Sequence, residues 1–176
     1  MRISFWVSLL IVATGLSAPA QGPVPLASGK LLTSAASGDR TVFSIPKPAG
    51  GKFKLSVSRD TTVAKGARPV SVKLVAEIPN SILIVSDVYS SISGGLGYCQ
   101  AGKETFLRVI SISGKLPVET FRVKLESCRE NIELASPGVN WRAQSRTLEI
   151  HWLSAPGSVG KSEDRTVIIG PEGKPV

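Results

Sequence analysis

Val70, Val72, Leu74, Ala76 and Ile78 alternate with Ser71, Lys73, Val75 and Glu77. A period of two predicts a strand with one buried face. Pro79-Asn80 breaks the run, and residues 81–90 resume with four consecutive apolar positions, Ile82-Leu83-Ile84-Val85, the mark of a strand buried on both faces. Together they predict a central hairpin. Shorter runs predict strands at 41–45, 52–58 (Phe53, Leu55 and Val57 on one face), 105–112, 118–127, 132–134, 146–153 and 166–169, with Gly, Pro, Asn or Ser turn signals between them. No stretch of eleven residues keeps a helical apolar stripe without interruption. The expected fold is therefore all-β with little helix: a single antiparallel β-sandwich, or a flattened barrel, of about nine short strands.

The ends of the chain read differently. A basic tip, Met1-Arg2, precedes an apolar run through Val12 and a small-residue exit in which Ala18 and Ala20 occupy positions −3 and −1 of a cut before Gln21. The run is shorter than the roughly 20 residues that span a bilayer. Residues 1–20 are thus expected to be a cleaved signal peptide, leaving no transmembrane span. Residues 21–38, small, polar and without period, are expected to be a flexible lead-in, 39–170 the β-sandwich domain and 171–176 a tail. No N-x-S/T sequon is present, which leans the reading towards a bacterial periplasmic or secreted protein.

Charge changes the picture modestly. Without Arg2 the chain carries 20 Lys and Arg against 13 Asp and Glu, a net charge of +7. Such an excess favours acidic partners, an acidic envelope polymer or an anionic lipid surface rather than nucleic acid in an exported chain, although an ordinary solvated surface has the same composition.

Cys99 and Cys128 are expected to form one disulfide, since the chain is addressed to an oxidising compartment and C-x-x-C spacing is absent. A hairpin turning at Ser113-Gly114-Lys115 supports the pairing. In a register that places Cys99 opposite Cys128, Phe106 faces Phe121, Val109 faces Val118 and Arg108 faces Glu119. Arg122 and Lys124 then share the face opposite Phe121, Val123 and Leu125, Lys103 lies opposite Lys124, and Arg129 follows the disulfide. These four cations form the candidate anion-binding face. The glycine-rich stretch before the first cysteine, with Gly94, Gly95, Gly97 and Tyr98, is a candidate ligand loop. Gly97-Tyr98-Cys99-x-Ala101-Gly102-x-Glu104, Glu126-Ser127-Cys128 and Ile150-His151-Trp152 resemble a pattern in uncharacterised exported bacterial β-rich proteins. That resemblance implies an exported β-rich protein and no activity.

Several chemistries match in part. Residues 155–162 satisfy a loose phosphate-loop pattern ending Gly160-Lys161-Ser162, but the next run is a strand rather than a helix, so a hairpin turn is expected and no nucleotide. Ser158 and Lys161 have S-x-x-K spacing without its partner motifs. His151 is the only histidine, and one His with two mutually bonded cysteines leaves too few ligands for zinc, so neither metal nor cofactor is expected. Tyr89, Tyr98, Trp141 and Trp152 could line a groove but suit a core equally. The leading expectation is an exported, non-enzymatic binding or structural module. A small envelope-polymer hydrolase using His151 or a carboxylate pair, and an inhibitor of a secreted enzyme using Gly94 to Gly97, are the alternatives.

Overall fold

A computed structural model of the chain describes residues 22–92, 99, 102–158 and 160–176. The described residues form eleven strands and no helix. An N-terminal sheet holds β1 (Val24–Pro25), β2 (Leu31–Ser37), β3 (Arg40–Pro46) and β4 (Lys52–Ser58) in that order. A central sheet holds β5 (Ser71–Ile78), β6 (Ile82–Ser90), β7 (Lys103–Ser111) and β8 (Val118–Ser127), also in chain order. β9 (Glu133–Arg142), β10 (Thr147–Ser154) and β11 (Glu163–Ile168) make the third sheet, with β10 in the middle. Every pairing within the sheets is antiparallel.

The central sheet is shared by two cores. Ile82 and Ile84 of β6 join Leu107, Val109, Val123, Leu148, Ile150 and Trp152 in one cluster, which bonds it to the C-terminal sheet. Leu83 and Val85, pointing the other way, join Ile110, Phe43, Ile45, Leu55 and Val57 in a second, which bonds it to the N-terminal sheet. The doubly buried strand expected at 82–85 is therefore the hinge of the architecture: its two faces serve two layers. This corrects the single nine-strand sandwich and the flattened barrel. All nine expected strands are present, but they stack as three sheets. Apolar periodicity reports that a face is buried and not which sheet covers it.

The two additional strands, β1 and β2, lie in the expected lead-in, which is thereby corrected. Leu26 and Leu32 enter the second core and are buried. The rest of β2, Thr33-Ser34-Ala35-Ala36-Ser37, is too small and too uniform to show a period of two, although it pairs with β3 along its length. β9 is also longer than expected. It runs through Ser136-Pro137-Gly138 because residues 135–138 bulge out where β10 offers only His151, between the pairs Val139–Ile150 and Leu134–Trp152. The tail is tied down as well: Thr120 and Ser81 donate their hydroxyl hydrogens to the carbonyls of Gly173 and Pro171.

Cys99 and Cys128 are disulfide-bonded with Cα atoms 5.7 Å apart. The register built around that pair is not the one observed. Phe106 faces Lys124, Arg108 faces Arg122, Val109 faces Phe121 and Ser111 faces Val118, with bulges at Thr105/Phe106 and Val109/Ile110. The turn is longer than Ser113-Gly114-Lys115, since Ile112 to Pro117 all lie outside the ladder. Arg108 and Glu119 nevertheless meet, 2.6 Å apart, as diagonal rather than direct neighbours. Gly102 is required where it stands: a Cβ there would lie 2.6 Å from the Cys128 Cβ.

Candidate functional site

The four cations of the candidate anion-binding face do not share a surface. Lys103 follows the alternation of Thr105 and Leu107, whereas Lys124 faces Phe106, so the sheet separates Lys103 from Lys124 and Arg122. Lys124 is already neutralised, with its Nζ 2.5 Å from Glu130 Oε1 and 3.3 Å from Asp60 Oδ2. Arg122 donates from Nη1 to the Ser58 carbonyl at 3.2 Å. Arg129 is exposed. Gly94, Gly95, Gly97 and Tyr98, and with them the loop on which the inhibitor reading depends, lie outside the described residues.

Among the described residues of the exported-protein pattern, Gly102 touches the disulfide, and Glu104 pairs with Ser127 beside it. Glu104 is buried and accepts from Ser91 Oγ at 2.6 Å and from the Arg129 backbone N–H at 3.4 Å. Trp152 is core, donating Nε1–H to the Leu125 carbonyl at 3.1 Å, and Trp141 packs half-buried against the same cluster. His151 stands half-exposed on the outer face of the C-terminal sheet, its Nδ1 2.8 Å from Asp164 Oδ1 on the neighbouring strand. Ala155 to Ser158 and Gly160 to Ser162 lie between β10 and β11, with Ser158 N–H bonded to Ala155 O and Lys161 N–H to Ser158 O, and a strand follows. No group of three or more His, Cys, Asp or Glu side chains with metal-ligand proximity occurs among the described residues.

Buried charge concentrates at one end of the second core. Asp87 accepts from Arg108 Nε at 2.9 Å and from Tyr89 OH at 2.6 Å, Tyr89 shares a 2.7 Å bond with Thr41 Oγ1, and Arg108 Nη1 reaches Glu119. Asp87 and Arg108 are completely inaccessible to solvent. Burial, reinforced by the Asp87 charge, drives the Tyr89 phenol far above its ordinary value and keeps it a neutral donor. This cluster joins layers of the fold and is closed to a ligand.

Two surfaces remain open. The first is the outer face of the N-terminal sheet. Because Thr41, Phe43, Ile45, Leu55 and Val57 point inward, alternation turns Arg40, Val42 and Ser44 of β3 and Lys52, Lys54 and Ser56 of β4 outward. Arg40 is braced by Ser56, donating Nε–H to its Oγ at 2.7 Å and Nη2–H to its carbonyl at 2.8 Å. Thr33, Ala35 and Ser37 of β2 complete the face opposite Ser44, Val42 and Arg40. The only carboxylate between residues 22 and 58 is Asp39, in the β2–β3 turn. This surface was missed above, yet a signal existed in the sequence: residues 22–70 carry eight Lys and Arg against two Asp, while 71–176 carry twelve against eleven acidic side chains.

The second surface is a groove of about 490 Å³ on the opposite side of the molecule, where the C-terminal sheet stops short of the end of the central one. Ser71, Lys73, Ser86, Lys103, Thr105 and Glu126 supply its polar lining, and Val88, Leu125, Leu134 and Val139 are among its apolar residues. No protein-family model, curated protein or solved structure matches the chain. No helix among the described residues is long and apolar enough to cross a membrane.

Proposed function

We propose that this chain is an exported, non-enzymatic binding module that holds an acidic envelope polymer on the outer face of its N-terminal sheet. The observation that carries the reading is the cationic face without a carboxylate, formed by Arg40, Lys52 and Lys54 on adjacent strands. Lys52 and Lys54 are two residues apart on one strand, so their Cα atoms are spaced about 6.8 Å along it. Such a row matches the repeating charge of an extended anionic chain, and the hydroxyls of Thr33, Ser37 and Ser44 add neutral donors beside it. A polymer fits better than a lipid surface because this face presents a single exposed long apolar side chain, Leu31, and no aromatic one, too little to insert among head groups. Removal of residues 1–20 and the disulfide fit the same compartment.

Each contact is weak alone and several act together, so retention on an immobilised acidic polysaccharide should fall steeply from 0.1 M to 1 M salt, as the Debye length contracts from about 10 Å to about 3 Å. Arg40→Glu, Lys52→Glu and Lys54→Glu combined should abolish retention. Lys115→Glu, Arg129→Glu and Lys161→Glu combined change the net charge equally and should leave most of it. Equal behaviour of the two triple variants, or no retention of the wild type at low salt, overturns the assignment. The His151–Asp164 pair favours the polymer-hydrolase reading instead, and release of shortened polymer that stops in His151→Ala would select it.

A further inference from the structure

We infer that the groove between the central and C-terminal sheets is a second binding site, for an anionic amphiphile with a carboxylate head and an unbranched alkyl tail. The inference does not depend on the cationic face of the N-terminal sheet, which lies on the other side of the central layer.

The groove is lined by Leu134 and Val139, on either side of the β9 bulge, and by the rows of β5, β6 and β7 that carry Ser71, Lys73, Ser86 and Thr105. Its volume of about 490 Å³ is that of a small-molecule site. The two ends differ in chemistry. On β5 and β6, Lys73 and the hydroxyls of Ser71 and Ser86 form a donor set, and none of the three side chains has a hydrogen-bond or ion-pair partner among the described residues. Leu134 and Val139 of β9 and Leu125 of β8 form an aliphatic wall continuous with the first core.

The acidic residue in the lining, Glu126, is at the far edge. Its Oε2 accepts from Thr105 Oγ1 at 2.8 Å, and it belongs to β8, three strands from β5, about 14 Å across the sheet. It leaves the Lys73 end free of negative charge. A carboxylate at Lys73, accepting from Ser71 and Ser86, places an attached tail over Val88 and towards Leu134 and Val139. A ligand apolar throughout would cover the half-buried Ser71 and Ser86 hydroxyls without giving them partners and make no use of the Lys73 charge, and a compact anion would leave the aliphatic wall wet. The amphiphile satisfies both ends.

The test is titration of the mature, disulfide-bonded protein with dodecanoate below its micellar range, followed by amide chemical shifts, beside dodecanol, acetate and an acidic peptide. Dodecanoate should saturate and move the Ser71, Lys73, Ser86, Val88 and Leu134 amides. Dodecanol and acetate should each bind at least tenfold more weakly, and Lys73→Glu should weaken dodecanoate by tenfold or more while melting as the wild type does. Lys73→Gln keeps the length without the charge and should fall between the two. Equal affinity for dodecanol, indifference to Lys73→Glu, shifts confined to other surfaces, or saturation by the acidic peptide alone would each overturn the inference. The Arg40/Lys52/Lys54 triple variant should bind dodecanoate normally, which separates this result from the polymer test.

Discussion

The two faces of the central sheet meet their neighbours by different means. Towards the C-terminal sheet the contact is aliphatic and aromatic throughout, with Ile82, Ile84, Leu107, Val109 and Val123 packed on Leu148, Ile150 and Trp152. Towards the N-terminal sheet it begins the same way at Leu83, Val85 and Ile110 but passes, one step along the same strands, into Asp87, Arg108, Tyr89 and Glu119. At that end the cover is only partly strand: Thr41 of β3 bonds Tyr89, and the Ser58 carbonyl closing β4 accepts from Arg108 and Arg122. The segment after β4 lies over Tyr89 and Phe106 through Val63 and Ala67, and its carbonyls need donors. Arg59 supplies Ala67 of that segment and, in the β2–β3 turn, Gly38. Where a sheet covers a sheet, backbone groups are satisfied within each layer and side chains can be apolar. Where irregular chain covers a sheet, polar side chains must reach out to it, and burying them requires partners.

The largest effects should come from these two contacts, and they should respond differently to repair. Asp87→Ala leaves the Arg108 guanidinium buried without its bidentate carboxylate and should cost about 3–5 kcal/mol in urea unfolding. Asp87→Leu with Arg108→Met should recover most of that loss, since an apolar pair of similar volume removes the stranded charge. Trp152→Ala should also cost about 3–5 kcal/mol, through the cavity and the lost Leu125 bond, with no comparable rescue from a neighbour. A loss under 1 kcal/mol for Asp87→Ala would mean the pair acts as exposed ion pairs do, and the contrast between the faces would be gone.

A smaller effect belongs to the end of the β7–β8 ladder. Breaking the Cys99–Cys128 bond, whose cysteines are 29 residues apart, should cost about 3.5 kcal/mol on loop entropy and lower the melting temperature of Cys128→Ser accordingly. Two free thiols in unreduced mature protein would contradict the bond itself.

The smallest concerns the segment that covers the polar end. Burial pushes the Asp60 carboxyl up, but the Thr62 backbone N–H and the Lys124 ammonium outweigh it and hold the group below its ordinary value. A depressed carboxyl stabilises the fold above its unfolded value, about 3.9, and that contribution is lost as pH falls through the folded one. Asp60→Asn should therefore flatten the decline in unfolding free energy, measured with urea below about pH 4, by less than 1 kcal/mol, Asp60 being partly exposed. A steepened decline would reverse the sign of the argument.

Nine strands, the doubly buried run at Ile82 to Val85 and the disulfide were legible because each is written in local chemistry: alternation, apolar continuity, and two cysteines in a chain that opens with a basic tip and an apolar run. The cationic face was legible too, as an imbalance between the first 70 residues and the rest, but it requires reading charge by segment rather than by hairpin. β1 and β2 were not, because small side chains paired to a neighbour leave no period. The β7–β8 register was not, because two bulges each shift the pairing and Ile112 to Pro117 set no turn type. The inward face of β4 could be assigned from the chain alone, since Phe53, Leu55 and Val57 recur every two residues and all meet the second core, whereas in β5 the bulge between Leu74 and Ala76 divides the expected single face between the two cores. Which layer each face meets, where Lys103 parts from Lys124, and that Asp87, Arg108 and Glu119 share one enclosure were decided only by the stacking of three sheets, because those contacts join residues whose spacing in the chain carries no information about their distance in space.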